Sequence, residues 1–395
     1  MMNRRKFLLE AGGGMGALAL TSLEAATHHA PKAKRVISLF MSGGVSHMDT
    51  FDPKPALARY AGQPLSGKGD VVVRQGHPGP LMPSPFAFRR HGQSGLEVCE
   101  LFPKIGALCD EYALIRSAFS KSNDHVQAHY ALSSGQIRMG FPSLGAWVSY
   151  GLGSVNRDLP GYVVLYDQRG GPFGGPANWT SGFMPAAYQG TVFRSSGEPI
   201  LDLKPPAGMT GEEQRKRLEA LRKLNALDAE RTPSNTELAA RLESYELAYR
   251  MQSAAPEAVD LASVKTNHTR HAAATDTPIA GLLTDLKARG LLQDTLVIWH
   301  GEFGRMPISQ RGLGRDHNPG AMSIWMAGAG IRGGQVIGSS DEFGYKAEEQ
   351  PVSVHDFHAT ILHLLGLDHT KLTYRFNGRE MRLTDVYGTP VPQLV

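Results

Sequence analysis

Arg35-Val36-Ile37-Ser38-Leu39-Phe40-Met41 runs directly into Ser42-Gly43-Gly44, an apolar stretch ended by two glycines. Such a run reads as a buried parallel strand whose carboxyl end opens into a tight turn. Tyr112-Ala113-Leu114-Ile115, Tyr162-Val163-Val164-Leu165, Thr295-Leu296-Val297-Ile298-Trp299 and Ser323 to Ala327 read as further strands. Between them lie helical spacings: Leu101 to Cys109, Asp124 to Ser134 closed by Gly135, Ser143 to Gly151, Asp276 to Arg289, and Val354 to Leu365. Asp356 reads as the N-cap of the last of these. Strands alternating with helices predict an α/β fold, a mainly parallel central sheet sandwiched by helices. Met209 to Met251 is charged and helical in spacing, a solvated arm rather than core.

The composition supports this and excludes several functions. The chain has 395 residues, 41% of them hydrophobic and 20% charged, enough for a sizeable core. Gly 45 and Pro 25 exceed the usual combined share of about 12%, so turns are frequent. A net charge of +4, with no basic stripe interleaved with aromatics, argues against a nucleic-acid surface. Two cysteines, Cys99 and Cys109, make no disulfide framework and read as small core residues.

The N-terminus reads as an address. Asn3-Arg4-Arg5-Lys6-Phe7-Leu8 precedes a Gly/Ala-rich apolar run to Leu23, and Ala25, Ala26 and Ala30 offer a cleavage region. This is the layout of a twin-arginine signal over residues 1–30, too short and glycine-rich to span a bilayer. The expectation is an exported, periplasmic or extracytoplasmic domain over residues 31–395 with no membrane span.

Ligands of open α/β sheets bind beyond the carboxyl ends of the strands. Ser42, Ser46, His47, Asp49 and Asp52 follow the first strand there. His300, Glu302 and Arg305 follow the strand ending at Trp299, with Arg315-Asp316-His317-Asn318 beyond them. His125 and His129 stand at i, i+4 on one helix face. Carboxylates and imidazoles together suit zinc, manganese or iron, and a pair of such ions can clamp both oxygens of a phosphoryl displacement. Each group also has a plainer reading: Asp49 and Asp52 can cap and turn the chain, and Glu302 can pair with Arg305.

Several of these motifs are long enough to be familiar. They are Phe40-Met41-Ser42-Gly43-Gly44-Val45-Ser46-His47-Met48-Asp49-Thr50-Phe51-Asp52-Pro53-Lys54, Pro142-Ser143-Leu144-Gly145-Ala146-Trp147, Gly301-Glu302-Phe303-Gly304-Arg305-Met306-Pro307, Gly314-Arg315-Asp316-His317-Asn318-Pro319 and Leu383-Thr384-Asp385-Val386. From about Arg35 to Gly388 the chain resembles the domain-of-unknown-function family numbered 1501. That resemblance implies an alkaline phosphatase/sulfatase-like sandwich with divalent metal (zinc, manganese, iron or calcium) above the strand ends. In a metal-dependent hydrolase of this kind, His47, Asp49, Glu302, Asp316 and His317 are expected to hold the metal, with His125 as nucleophile or acid/base. Arg305 or Arg315 would bind the anionic oxygens.

The transfer is uneven. The superfamily's first metal Asp falls at Ser42, its hydroxyl nucleophile falls near Asp124-His125, and its late Asp-His pair becomes Glu302-Phe303. Relatives carry an extra segment, with a Trp-Asp-x-His stretch, where Asp260 to His268 here leads straight into the next helix. Two functions are therefore expected as alternatives: a metal-dependent hydrolase of small phosphate or sulfate esters, with a glycan as the other expected partner, or a non-catalytic exported binding protein.

Overall fold

The computed structural model describes residues 27–154 except 70, 75 and 77, then 159–166, 171–194, scattered positions between 208 and 224, and 268–395 except 311–313. The twin-arginine stretch, most of the arm at 209–265 and the link Asp260 to Asn267 lie outside the described residues. Two compact units divide the chain: His28–Arg138 with Val264–Arg375 and Arg379–Val395, and a smaller one holding Met139–Ser263.

The larger unit is built on β1 (Arg35–Phe40), β2 (Tyr112–Phe119), α1 (His125–Ser134), α2 (His268–Ala288), β3 (Thr295–His300), β4 (Gly304–Gln310), β5 (Gly314–Asn318), β6 (Met322–Ala327), β7 (Val336–Ile337), β8 (Val352–Ser353) and α3 (Val354–Leu364). The central sheet runs β1-β3-β6-β2-β7, with β8 also pairing β2. β1 and β3 are parallel, as are β2 with β7 and β2 with β8. β6 is antiparallel to both its neighbours.

The sheet is therefore mixed, not mainly parallel as expected. The cause lies in the connection. After β3 the chain makes the antiparallel hairpin β4–β5, and only Pro319, Gly320 and Ala321 separate β5 from β6. Among the described residues Gly301 to Ala321 holds these two strands and no crossover helix, the usual carrier of a parallel return, and β6 descends beside β3 instead. Trp325 then sits opposite Trp299, their rings stacked at 6.3 Å. These two with Phe51, Tyr112, Leu114 and Val297 form the main core, against which α2 lays Ile279, Leu283 and Leu286.

Three other expectations are corrected. β1 is half-exposed rather than buried, because among the described residues it pairs only with β3. Val163–Tyr166 is a strand, but it pairs with Thr191–Arg194 in a separate two-stranded ladder of the smaller unit. Ser353, not Asp356, is the N-cap of α3. Its hydroxyl accepts the Asp356 N–H while the Asp356 carboxylate accepts the Ser353 N–H, a reciprocal box.

In the smaller unit, Leu144–Leu152 is a helix capped by Ser143, and its own Trp147 is buried. No helix among the described residues is long and apolar enough to cross a membrane.

Candidate active site

The site lies at the carboxyl ends of β1 and β3, where α1 begins. α1 starts there because Asp124 caps it, accepting the N–H groups of Val126 and Gln127 at 3.0 and 3.3 Å. It stops at Gly135, whose φ of 75° is left-handed. Arg74 pairs with Asp124 at 2.9 Å and leads the lowering of its pKa, so this carboxylate is a structural cap.

Glu302 is the centre. It is wholly buried, accepting His125 Nδ1 at 2.7 Å and the Gly43 N–H at 2.9 and 3.2 Å, with His129 Nε2 at 3.6 Å. Burial opposes its charge, but His129 and then His125 outweigh that and hold the carboxyl down at about 2. His129, itself buried, also bonds Ser42 Oγ through Nε2 at 3.2 Å. His317 meets His125 ring to ring at 4.4 Å, and its Nδ1 lies 2.7 Å from the Asn123 carbonyl. A carbonyl only accepts, so Nδ1 carries the proton and the ring's lone pair sits on Nε2. Burial lowers the His317 pKa, favouring this neutral form. Glu302 and His317 thus both meet His125, though 15 positions apart in sequence.

Arg305 does not pair with Glu302 across a loop. Its guanidinium holds the glycine turn, donating to the Gly44 carbonyl at 2.8 Å, to the Gly43 carbonyl and to the Arg315 carbonyl at 3.0 Å. Burial lowers its pKa, with Glu302 and Asp316 opposing.

The remaining expected residues are engaged elsewhere. Asp49 forms a bidentate buried pair with Arg315, 2.7 Å to Nε and 3.1 Å to Nη2. His47 Nε2 donates to the Gly344 carbonyl at 2.8 Å. Its Nδ1 is buried without a partner against Gly304, where an added Cβ would lie 2.4 Å away. No room for an ion remains there. Asp316 accepts the His317 backbone N–H at 2.8 Å.

The five expected metal ligands do not form one donor set. Glu302 is spent on N–H donors, Asp49 on a guanidinium and His47 on a carbonyl. Among the described residues no group of three or more His, Cys, Asp or Glu side chains is arranged to hold an ion. The residues as placed do not fit the implied metal. His129 and Ser42 join the cluster instead. The i, i+4 spacing to His125 marks His129 in the sequence, whereas nothing in the sequence marks Ser42 as its partner.

The family described as "protein of unknown function (DUF1501)" matches residues 33–267 and 262–395. The chain belongs to it. No curated protein matches. Among solved structures, one from work on metabolism of multiple glycosaminoglycans by Bacteroides thetaiotaomicron is 13% identical, with 87% of this chain and 74% of that one covered and a TM-score of 0.37. The PsFucS1 sulfatase from Pseudoalteromonas sp. is 13% identical over 92% and 72% of the two chains, with a TM-score of 0.36. A phosphonate monoester hydrolase of Agrobacterium radiobacter is 13% identical over 86% and 74%, with a TM-score of 0.35.

Proposed function

We propose that this protein is an exported hydrolase of phosphate or sulfate esters, with His125 as the group that moves the proton at the leaving oxygen. One observation carries it: the buried, anionic Glu302 holds His125 Nδ1 at 2.7 Å. A carboxylate on one ring nitrogen fixes the tautomer and plane of an imidazole, so Nε2 becomes the working atom. His125 is 20% exposed at its side chain, within reach of a bound ester. It protonates the departing oxygen in the first half of the reaction and takes a proton from water in the second. Arg305 shapes the turn on the other side of Glu302 and adds positive charge near an anionic substrate.

The motif resemblance supplies the ester class, and the position beyond the strand ends agrees with where such sheets bind ligands. The test is hydrolysis of an aryl phosphate and an aryl sulfate by the purified chain, compared with His125→Asn and Glu302→Gln. Positioned acid–base groups contribute roughly 100- to 10,000-fold, so losses of that size support the reading. Unchanged rates in both variants refute it.

A second reading, a non-catalytic binding protein, draws on a separate observation. The Asp49–Arg315 pair and the His47–Gly344 bond withdraw two expected ligands from the site. A folded wild-type chain that turns over neither ester favours it. For export, Arg4→Lys with Arg5→Lys is expected to abolish appearance in the periplasmic fraction, and unaltered export removes the signal reading.

A further inference from the structure

Everything around residues 42–44 is arranged to fix one exposed hydroxyl. β1 carries its pairing as far as Met41, whose N–H reaches the His300 carbonyl at 2.7 Å. The backbone then turns at Gly43 and Gly44, with φ of 114° and 69°, a region that disfavours side chains. An added Cβ on Gly44 would also lie 2.4 Å from the Phe303 ring. Glu302 holds the Gly43 N–H from beneath, and Arg305 holds both glycine carbonyls. Ser42 is left exposed at the strand-to-turn junction, with its Oγ 3.2 Å from Nε2 of buried His129. The ring of His129 is itself braced by Phe40 at 4.6 Å.

We infer that Ser42 is the nucleophile of this site, taking a phosphoryl group from its substrate with His129 as the base. The inference rests on the hydrolase reading and adds a covalent step to it. A strand-to-turn serine facing an imidazole is the arrangement by which a weak hydroxyl is activated. As Ser42 Oγ attacks phosphorus, its proton passes to His129 Nε2 and the Oγ–P bond forms. The P–O bond to the leaving alcohol breaks, and that oxygen takes the proton carried by His125. The Glu302 carboxylate lies 3.6 Å from His129 Nε2 and faces the imidazolium that results. In the second half, water loses a proton to His125 as its oxygen bonds phosphorus. The Oγ–P bond breaks and His129 returns the proton to Ser42. Substrate and water are consumed, alcohol and phosphate are released, and both imidazoles are restored.

The test is reaction of the purified full chain with an alkyl fluorophosphonate, followed by intact-mass and peptide mapping. Attack by Ser42 expels fluoride and leaves a stable phosphonyl ester on Oγ. The expected result is one adduct per chain, mapped to Ser42, absent in Ser42→Ala, and formed at least tenfold more slowly in His129→Gln. Mapping on the wild-type chain settles the point even if His129→Gln fails to fold. No adduct, or an adduct on another residue, overturns the assignment. Aryl phosphate turnover measured in parallel separates the two claims: turnover that survives Ser42→Ala removes the nucleophile and leaves the hydrolase.

Discussion

Glu302 Oε1 lies 2.7 Å from His125 Nδ1, with the carboxylate fully buried and the imidazole at the surface of the site. This contact joins the end of β3 to the first residue of α1, 177 positions apart. It therefore ties function to stability. The Glu302 carboxyl is held at about 2, below its unfolded value near 4.5. A depressed carboxylate stabilises the fold fully above the unfolded pKa, and that contribution is lost as pH falls through the folded one. Urea unfolding of wild type minus Glu302→Gln should show a difference on the order of a few kcal/mol at pH 6 that shrinks between pH 4.5 and 2. A difference that does not change over this window would contradict the assignment.

Two histidines extend the acid sensitivity upward. Burial lowers His300 to about 4 and His358 to about 3. His300 Nε2 bonds Ser38 Oγ at 2.9 Å, and His358 Nε2 meets the Leu132 carbonyl at 2.8 Å. An imidazole depressed in the fold binds its proton preferentially in the unfolded chain. Its stabilisation is complete above pH 6.5 and falls as pH drops toward the folded value. Unfolding free energy is thus expected to decline from pH 7 to pH 4, and His358→Gln should flatten that slope by up to one proton. An equally steep slope in the variant would count against a neutral buried His358.

How much of this was legible in the sequence depends on the range of the interaction. α1 was readable to the residue, because Asp124 as cap and Gly135 as stop are local signals. β3 was readable because the unbroken apolar run Leu296 to Trp299 admits few alternatives. The reversed direction of β6 was not, since it depends on the hairpin that stands between β3 and β6 in place of a helix and not on any strand's composition. The site divides in the same way. His125, Glu302 and His317 stood out as polar residues beyond strand ends. Asp49 looked equally suitable as a ligand, and only the fold places Arg315 against it. Ser42 stands out beyond β1 in the same way, but its pairing with His129, 87 positions away, is not legible in the sequence.

The Asp49–Arg315 pair gives a structural prediction. Both side chains are nearly buried, and Ser46 Oγ donates a further bond to Asp49 at 2.5 Å. Removing one partner of a buried pair leaves an uncompensated charge, at a cost of about 3–5 kcal/mol. Asp49→Asn should lower stability by roughly that amount while leaving the metal content of the purified protein unchanged. Loss of bound metal with intact stability would restore Asp49 as a ligand.

Arg305 acts on the turn through geometry. Arg305→Lys removes the planar fork that spans the Gly43 and Gly44 carbonyls but keeps the charge. A misplacement near 1 Å at a reacting group can cost about 100-fold. Turnover should fall by roughly 10- to 100-fold through kcat, with little change in KM. A purely electrostatic role would leave Lys close to wild type.

The N-terminal strand is preceded by a short segment pinned to the end of α3. The N–H groups of His28 and His29 donate to the Gly366 carbonyl at 2.8 and 3.3 Å, and those of Lys32 and Ala33 to the Leu364 carbonyl at 2.8 Å each. His28 Nδ1 accepts the Asp368 N–H at 2.8 Å, and the His29 ring lies 4.3 Å from that of His363. The Leu364 carbonyl is one that the last turn of a helix leaves unpaired, and the Gly366 carbonyl lies just past its C-cap Leu365. A chain starting at Lys32 loses the His28 and His29 bonds but keeps those of Lys32 and Ala33. At about 1 kcal/mol per net hydrogen bond, the loss should be roughly 1–3 kcal/mol against a chain starting at Thr27. Urea unfolding of the two forms, at one pH above 7 so that His28 stays unprotonated, measures it directly. Equal stabilities would mean that the segment before Lys32 rests on α3 without holding it.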